Sequence, residues 1–212
     1  NMIKELKNRL SLIWEIDIEQ IKFDKGNFSS KADSELSINI RDLAKKLDGT
    51  GGAVSAVGAV DLDSSTHGFG THIVDLVVDT ETGKTDILKY TAVQDVGKAI
   101  HPSYVGGQIQ GGAAQGIGWA LNEEYYIDQK GKMLNSSYLD YRMPTALDLP
   151  MIDTILVENE NPEQPFGVRG VGEVPICPPL GAISNAIKDA LGVRLNDLPM
   201  KPSVILSALS KK

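Results

Sequence analysis

The sequence predicts an α+β fold in which mixed sheets pack against helices. Segments rich in β-branched residues and segments with helical apolar spacing both occur, but they do not alternate strictly along the chain, as they would around a parallel sheet. With 212 residues, of which 42% are hydrophobic, the chain can bury a sizeable core. Its length suits one large domain or two small ones.

The opening of the chain is predicted to be a helix, a hairpin and a second helix. Apolar residues recur at helical spacing over residues 2–14, which indicates an amphipathic helix. A hairpin is expected over residues 21–30, because the turn-forming run at 24–27 divides it. The second helix begins around Ile40 and stops before Gly49.

A domain boundary is predicted at the glycine-rich stretch 49–52, since such stretches are typical of loops. An N-terminal segment would then cover residues 1–52 and a second domain residues 53–212. The chain opens on Asn1 followed by Met2, which suggests a piece of a longer protein.

The centre of the second domain is predicted to be a sheet. Residues 73–78 and 87–93 are rich in β-branched side chains, and residues 80–83 supply a turn between them. The first of these strands is a continuous apolar run around Val77, so it is expected to be covered on both faces. The remaining predictions are a helix over 103–125, strands at 125–128, 133–135 and 152–158, a helix over 180–191 and a short helix after Pro202.

Composition excludes several classes of function. A net charge of -7 and a pI near 5.0 disfavour nucleic-acid and membrane-surface partners, which attract clustered Lys and Arg. The sequence has no apolar run of about 20 residues and no signal peptide pattern, so a cytoplasmic protein is expected. Cys177 is the single cysteine and cannot by itself hold an iron–sulfur cluster. His67, His72 and His101 form no metal-binding pattern and are predicted to be structural or surface residues.

The predicted long helix is unusually rich in glycine. Six glycines occur within residues 106–118, and together they forgo roughly 5 kcal/mol of helix stability relative to alanine. Gln108, Gly111, Gly112 and Gln115 have the spacing of one helical stripe, where two amides and bare backbone suit the mixed edge of a fused heterocycle. Tight packing of the helix on a sheet, with solvent-facing glutamines, explains the same glycines equally well.

A loop with three glycines and two prolines, residues 164–175, carries the single carboxylate Glu173. The apolar residues that follow it would favour the neutral acid and strengthen Glu173 as a base. An exposed loop glutamate, or a charge partner for a helix N-terminus, is the more ordinary interpretation. Arg169 is a further candidate as the ion-pair partner of Glu173.

Four segments in one order resemble the C-terminal part of the large, molybdopterin-binding subunits of xanthine dehydrogenase and aldehyde oxidase type molybdenum hydroxylases. They are DVGKAIHP at 95–102, GQIQGGAAQGIG at 107–118, DYRMPT at 140–145 and PFGVRGVGE at 165–173. The likeness covers nearly the whole chain, more loosely before Ser55. Arg169 departs from the pattern, because lysine is frequent there in relatives.

The resemblance implies a molybdenum–molybdopterin cofactor, as the plain pterin or as its cytosine dinucleotide. Glu173 matches the family's catalytic glutamate base, and Gln115 matches a glutamine that contacts the cofactor near the metal. Gln108, Gly111 and Gly112 occupy neighbouring cofactor-binding positions. The implied reaction deprotonates a metal-bound hydroxyl, which attacks an electron-poor carbon while hydride passes to a sulfido ligand. The pterin dithiolene holds the metal, so no protein ligand to the metal is expected.

The implied substrate is an aldehyde or an aromatic N-heterocycle, hydroxylated with oxygen from water. Implied partners are the rest of the large subunit and further domains or subunits that carry iron–sulfur clusters and FAD. Family large subunits are several times longer, so the isolated chain, whether a fragment or a split gene product, is expected to be inactive.

Two other functions fit the residues less closely. The chain could be a non-catalytic binding or assembly module that docks on a partner subunit, with Glu173 merely structural. A glycoside hydrolase is suggested only by the surplus of acidic residues, and no pair of carboxylates stands out.

Overall fold

A computed structural model describes residues 1–61 and 67–211 of the chain. The described residues form two compact units, of which the first is Asn1–Asp61. The break between the units lies further along the chain than residues 49–52, because Val54 packs against the core of the first unit and Nδ2 of Asn1 donates to the carbonyl of Val57 at 2.7 Å. Within the described ranges, no helix is both long and apolar enough to cross a lipid bilayer.

The first unit consists of a three-stranded antiparallel sheet and two helices. In chain order the elements are α1 (Met2–Trp14), β1 (Ile21–Asp24), β2 (Asn27–Ser30), β3 (Ser37–Asn39) and α2 (Ile40–Ala44). The predicted first helix and hairpin are confirmed. The hairpin turn has positive φ at Lys25 and Gly26, the geometry that matches the twist of two-residue hairpins. Strand β3 was not predicted, because its three residues are too few to show a pattern.

The second unit is a mixed three-stranded sheet packed with helices, which confirms the α+β class. Its elements are β4 (Gly70–Val78), β5 (Thr85–Asp95), α3 (Pro102–Leu121), β6 (Ile152–Val157), α4 (Pro178–Leu191) and α5 (Pro202–Leu209). Strand β5 is central, with β4 antiparallel on one side and β6 parallel on the other. Parallel neighbours need a crossover connection, and α3 lies within it.

Helix α3 is held in place by its apolar side. Ile109, Ala113 and Ile117 recur every four residues and are almost completely buried. They share one core cluster with Tyr90 of β5 and Ile183 of α4. Because these residues fix the rotation of α3, they also decide which of its residues face outward.

His72 belongs to the buried side of β4, as the structural interpretation predicted. Its Nδ1 lies 2.9 Å from the hydroxyl of Tyr90, and its Nε2 is buried without a hydrogen-bond partner. Burial disfavours the charged imidazolium and lowers the pKa of His72 to about 4. His101 is exposed and stacks on Tyr104, with ring centroids 3.9 Å apart.

The expectation that the first strand of the central sheet is covered on both faces is wrong. Ile73 and Val77 of β4 are 56% and 50% exposed, and Ile155 of β6 is also 50% exposed. The helices lie against the opposite face, whose residues include the buried Tyr90. The continuous apolar run of β4 therefore supplies side chains to both faces of the sheet. One face is buried, and the other is apolar but is not covered by any described residue of this unit.

Two predictions for the segment after α3 are also wrong. The helix ends at Leu121 instead of continuing to 125, because the amides of Asn122 and Glu123 both donate to the carbonyl of Gly118 (2.8 Å each) and close the last turn. The strands predicted at 125–128 and 133–135 reduce to a single bridge between Ile127 and Met133. The predicted helix over 180–191 is present and ends at Gly192, in the left-handed conformation typical of this position.

Candidate functional site

Four exposed positions of α3, named here the open stripe, lie along one side of the helix: Gly107, Gln108, Gly111 and Gln115. A Cβ atom placed at Gly107 or Gly111 would meet nothing within 4 Å. Both glutamine side chains are exposed between these bare positions. The open stripe therefore offers amide donors and acceptors beside uncovered backbone.

Three other glycines of α3 lie against neighbouring groups. A Cβ atom at Gly112 would lie 3.0 Å from Cβ of Pro175, and one at Gly116 would lie 2.7 Å from Cγ of Pro179. At Gly118 an added Cβ would collide with the carboxylate of Glu123. These glycines are required for close packing, so the ordinary explanation of the glycine-rich helix holds for them but leaves Gly107 and Gly111 unexplained.

The predicted shaped loop lies between β6 and α4 and contains two short 3-10 turns, Pro165–Gly167 and Val174–Ile176. The second turn begins after Glu173, whose carbonyl accepts a hydrogen bond from the amide of Ile176 (3.0 Å). Pro175 is buried against Gly112. This packing places the loop directly on α3.

The side chain of Glu173 is exposed, so the apolar residues after it do not enclose its carboxylate within this chain. The reason is geometric, because Pro175 points towards α3 and Val174 towards Gly68. The desolvation expected from the sequence is therefore not supplied by the described residues. The carboxylate is instead accessible to water and to other molecules.

The alternative that pairs Arg169 with Glu173 is wrong. Nε of Arg169 lies 3.2 Å from Oδ2 of Asp95, and these two side chains are 14% and 9% exposed. Nη1 of Arg169 donates to the carbonyl of His67 at 2.9 Å. The guanidinium of Arg169 therefore contacts Asp95 and the carbonyl of His67, and it does not pair with the carboxylate of Glu173.

The backbone of the same loop pairs with the turn after β5. Gly97 forms an antiparallel bridge with Val168, and the amide of Arg169 donates to the carbonyl of Val96 at 3.1 Å. Gly97 has a φ of 61° and touches the carbonyl of Gly167 so closely that no side chain would fit. A glycine is required there both for the conformation and for the close approach.

The structure brings most of the sequence-predicted site residues into one region. Gly112 lies beneath the loop, where an added Cβ would sit 3.4 Å from the carbonyl oxygen of Gly172, the residue before Glu173. Gln115 is on the next turn of α3, and Gln108 is about two turns away from Gln115. The backbone just before Glu173 therefore lies over Gly112, which is buried beneath the loop, and Gln115 is one turn of α3 further along.

The sequence indicated no specific contact for Asp95, His67, Gly68 or Pro175, which hold this region together. One signal was available, because Asp95 and Gly97 stand in the first of the four ordered segments. A carboxylate that ends a buried strand is unusual without a partner, so Asp95 could have been expected to pair. Its partner could not be identified, since Arg169 is far away along the chain.

In the described ranges, no group of three or more His, Cys, Asp or Glu side chains is arranged to hold a metal ion. Cys177 is exposed. A surface cleft of about 760 Å³ is lined by residues 192–197, by residues of α5 and by Lys211. That cleft is formed by other elements than the open stripe and the Glu173 loop.

Comparison with known proteins decides the family. Residues 1–150 match the model of the molybdopterin cofactor-binding domain. The chain is also 42% identical, over 72% of its length, to the putative xanthine dehydrogenase molybdenum-binding subunit of Escherichia coli. This chain is a molybdopterin-binding domain of the xanthine dehydrogenase and aldehyde oxidoreductase family. The resemblance seen in the four ordered segments is confirmed.

Other relatives extend the match to nearly the whole chain. Identity is 30% over 97% of the chain with the gamma subunit of the 6-hydroxypseudooxynicotine dehydrogenase complex of Paenarthrobacter nicotinovorans. The crystal structure of quinoline 2-oxidoreductase from Pseudomonas putida 86 superimposes on 99% of the chain with a TM-score of 0.77 and 28% identity. The chain spans only 20% of the first of these curated relatives and 27% of the second.

The residues present fit a molybdopterin. A fused heterocycle needs donors and acceptors along its edge, which the amides of Gln108 and Gln115 provide. It also needs room to approach the main chain, which Gly107 and Gly111 leave open. The family model ends before Glu173, but its neighbours Gly172 and Pro175 lie against Gly112, in the part of α3 that the model includes.

Proposed function

We propose that this chain forms one wall of the molybdopterin site of an oxidoreductase that hydroxylates its substrate with oxygen from water. In this proposal Glu173 is the general base, and Gln115, Gln108 and Gly111 contact the cofactor. Gly112 contributes indirectly, because it seats the loop that carries Glu173. The bound cofactor would supply the metal and accept the electrons of the oxidation.

The observation that carries the proposal is the juxtaposition of the Glu173 loop and the open stripe. The loop rests on Gly112 and Gly116, so Glu173 emerges beside the turn of α3 that presents Gln115. A ligand lying on the open stripe would thus meet amides from the helix and a carboxylate from the loop. No described side chain fills the space at Gly111.

Each residue has a definite task in this arrangement. The carboxylate oxygens of Glu173 are exposed and can accept a proton from water, which increases the nucleophilicity of that water. The side-chain amides of Gln108 and Gln115 can both donate and accept, and so can orient a heterocycle with mixed donor and acceptor edges. Gly111 excludes any side chain that would hold the ligand away from the helix.

The finer features of the proposal rest on the family. The substrate class is an aldehyde or an aromatic N-heterocycle, and the pterin is plain or a cytosine dinucleotide. Iron–sulfur clusters and FAD would lie on partner domains or subunits, and the rest of the large subunit would complete the pocket. A cytoplasmic location and inactivity of the isolated chain complete the proposal. One relative is named as a subunit of a dehydrogenase complex, which supports an assembly of several subunits.

The test is Glu173→Gln in the complete enzyme that contains this chain. The amide has the shape of the carboxylate but cannot take up the proton, so kcat should fall by at least about 100-fold. Molybdenum bound per protein should remain unchanged. Glu163→Gln is the matched control, because it makes the same chemical change at an exposed position of the same loop and should leave kcat unaltered. Full turnover in Glu173→Gln would remove Glu173 from the reaction.

The apolar outer face of the sheet favours a second candidate, an assembly module without catalytic residues. Ile73, Val77 and Ile155 are each at least 50% exposed there, and such patches commonly mark protein–protein contacts. This candidate predicts a complex that forms normally and keeps its turnover when Glu173 is replaced. The same variant therefore separates the two functions.

A further inference from the structure

The turn that carries Glu173 is attached at its two ends, and between them Val171 packs against the core of the second unit while the carbonyl of Gly172 lies over Gly112. A Cβ atom at Gly170 or at Gly172 would meet nothing within 4 Å. The attached positions are Arg169, which precedes the turn, and Val174, which follows Glu173 directly. Because Val174 is the direct neighbour of Glu173, the groups that hold these two positions contribute to the direction of the carboxylate.

The first attachment is a buried ion pair. Nε of Arg169 lies 3.2 Å from Oδ2 of Asp95, and the N–H is not directed at an acceptor, so the attraction is electrostatic. The other carboxylate oxygen, Oδ1 of Asp95, accepts a hydrogen bond from the amide of Gly97 at 3.0 Å. The carboxylate therefore cannot rotate freely, and it fixes the guanidinium from the end of β5.

The second attachment uses the segment that Arg169 also holds. Nη1 of Arg169 donates to the carbonyl of His67, and the next residue is Gly68. A Cβ atom at Gly68 would lie 3.1 Å from both methyl carbons of Val174. The segment that accepts a hydrogen bond from Arg169 is therefore the surface against which Val174 rests.

The same segment is bound to β5 at its next residue. The carbonyl of Phe69 accepts from the amide of Asp95 at 2.8 Å and from Nε2 of Gln94 at 2.7 Å. Gln94 is completely buried. Contacts therefore run from β5 through Asp95 to Arg169 and from Arg169 to residues 67–69. Residues 67–69 in turn contact both Val174 and β5, and Glu173 lies in the chain between Arg169 and Val174.

We propose that the Asp95–Arg169 ion pair is the positioning device that aims Glu173 at the open stripe. The inference rests on the proposed function, because a positioning role has meaning only if Glu173 is the base. Neither member of the pair touches Glu173, so both act through the two ends of the turn. Loss of the pair frees the guanidinium of Arg169, the one group that contacts both the end of β5 and the carbonyl of His67, while the backbone hydrogen bonds of Arg169 and Phe69 remain.

The decisive experiment compares two variants in the complete enzyme. Asp95→Asn keeps an oxygen for the amide of Gly97 but removes the ion pair. We expect kcat to fall by about 10- to 100-fold, because small displacements of a reacting group are that costly. KM and the molybdenum bound per protein should not change, since Gln115 and the rest of the open stripe are untouched. A purely structural pair would alter these quantities together with kcat.

The second variant, Asp95→Asn with Arg169→Gln, removes both charges and leaves no unpaired charge in a buried site. It is expected to melt like the parent enzyme and still to show the reduced kcat. Glu124→Gln is the matched control, because it breaks the partly buried Glu124–Lys201 pair, which does not involve the Glu173 loop. This control should keep its full kcat.

Each remaining outcome overturns the positioning role. Parental kcat in Asp95→Asn, or its return in the double variant, would show that the pair does not aim Glu173. Loss of molybdenum together with turnover in both variants would show that the pair only maintains the fold. Glu173→Gln in the same series distinguishes the two proposals. If Glu173→Gln keeps its turnover, Glu173 is not the base. If Glu173→Gln loses turnover while both Asp95 variants keep it, only the positioning role is wrong.

Discussion

The glycines of α3 fall into two groups that differ in what surrounds them. Gly112, Gly116 and Gly118 lie against loop residues that leave no space for a Cβ atom, whereas Gly107 and Gly111 face open space. Both groups carry the same intrinsic cost, because glycine destabilises a helix wherever it stands. In the first group close packing offsets that cost, and in the second nothing within the described residues does.

This difference separates structure from function within one helix. The packed glycines allow the Glu173 loop to approach α3, and so they position a carboxylate. The open glycines position nothing in this chain, and we attribute them to a ligand on the open stripe. Substitutions that add a single methyl group at each kind of position test the distinction.

The largest effect is expected at the packed positions. In Gly116→Ala the added methyl group would clash with the carbonyl of Ile176 and with Pro179, and backbone atoms cannot move aside easily. We expect the free energy of unfolding to fall by about 3 kcal/mol. Urea denaturation followed by the fluorescence of Trp119 would measure the change, with Trp14→Phe as the background. An unchanged urea midpoint would show that the space at Gly116 can accept a methyl group.

A second effect is expected from His72, on the packed side of the same unit. Its pKa is lowered by burial to about 4, below the ordinary value of about 6.5. The unfolded chain therefore takes up a proton that the folded chain refuses as the pH falls through this interval. Stability should be complete above about pH 6.5 and should decline until about pH 4.

The measurement is urea unfolding at several pH values. His72→Gln should lose part of the decline between pH 6.5 and 4, while the exposed control His101→Gln should keep all of it. Identical pH profiles for the parent and His72→Gln would show that His72 is not held neutral by burial. This outcome would weaken the view that the packed side excludes water.

The smallest effect on stability, and one of opposite sign, is expected at the open positions. Gly111→Ala meets no neighbour and should raise the free energy of unfolding by about 0.5 to 1 kcal/mol. In the complete enzyme the same methyl group should lower the molybdenum bound per protein. Gly181→Ala in α4 is the matched control, because Gly181 is exposed and equally free of neighbours. It should show the same gain in stability with full molybdenum. If Gly111→Ala bound the full amount of molybdenum, a ligand on the open stripe would not explain the open glycines.

The elements that the sequence predicted well are those with local signals. The hairpin of the first unit follows from its turn residues, α4 from its two entry prolines and the glycine at its end, and α1 from its apolar spacing. The α3 stripe was predictable in part for the same reason, since Gln108, Gly111 and Gln115 are related by helical geometry alone, but Gly112, expected on the same stripe, is buried beneath the loop. The stripe needed no tertiary contact to be recognised.

The predictions that were wrong concern features that depend on residues far apart in the sequence, or on whether a second layer covers a face of the sheet. Val77 is exposed although its run looks buried, because local pattern cannot say whether a second layer covers a sheet. The strands expected near Ile127 and Met133 were not formed, since two short segments rarely make a stable pair by themselves. The partner of Arg169 was not predictable, because Asp95 reaches it only through the pairing of the loop with the end of β5.

We propose that a pterin-borne metal lies between the open stripe and Glu173. Diffraction from crystals of the complete enzyme at the molybdenum absorption edge would locate that metal directly. We expect an anomalous peak that both the amide of Gln115 and the carboxylate of Glu173 face. A peak beside the exposed sheet face of Ile73 and Val77, or anywhere out of reach of both side chains, would contradict this proposal.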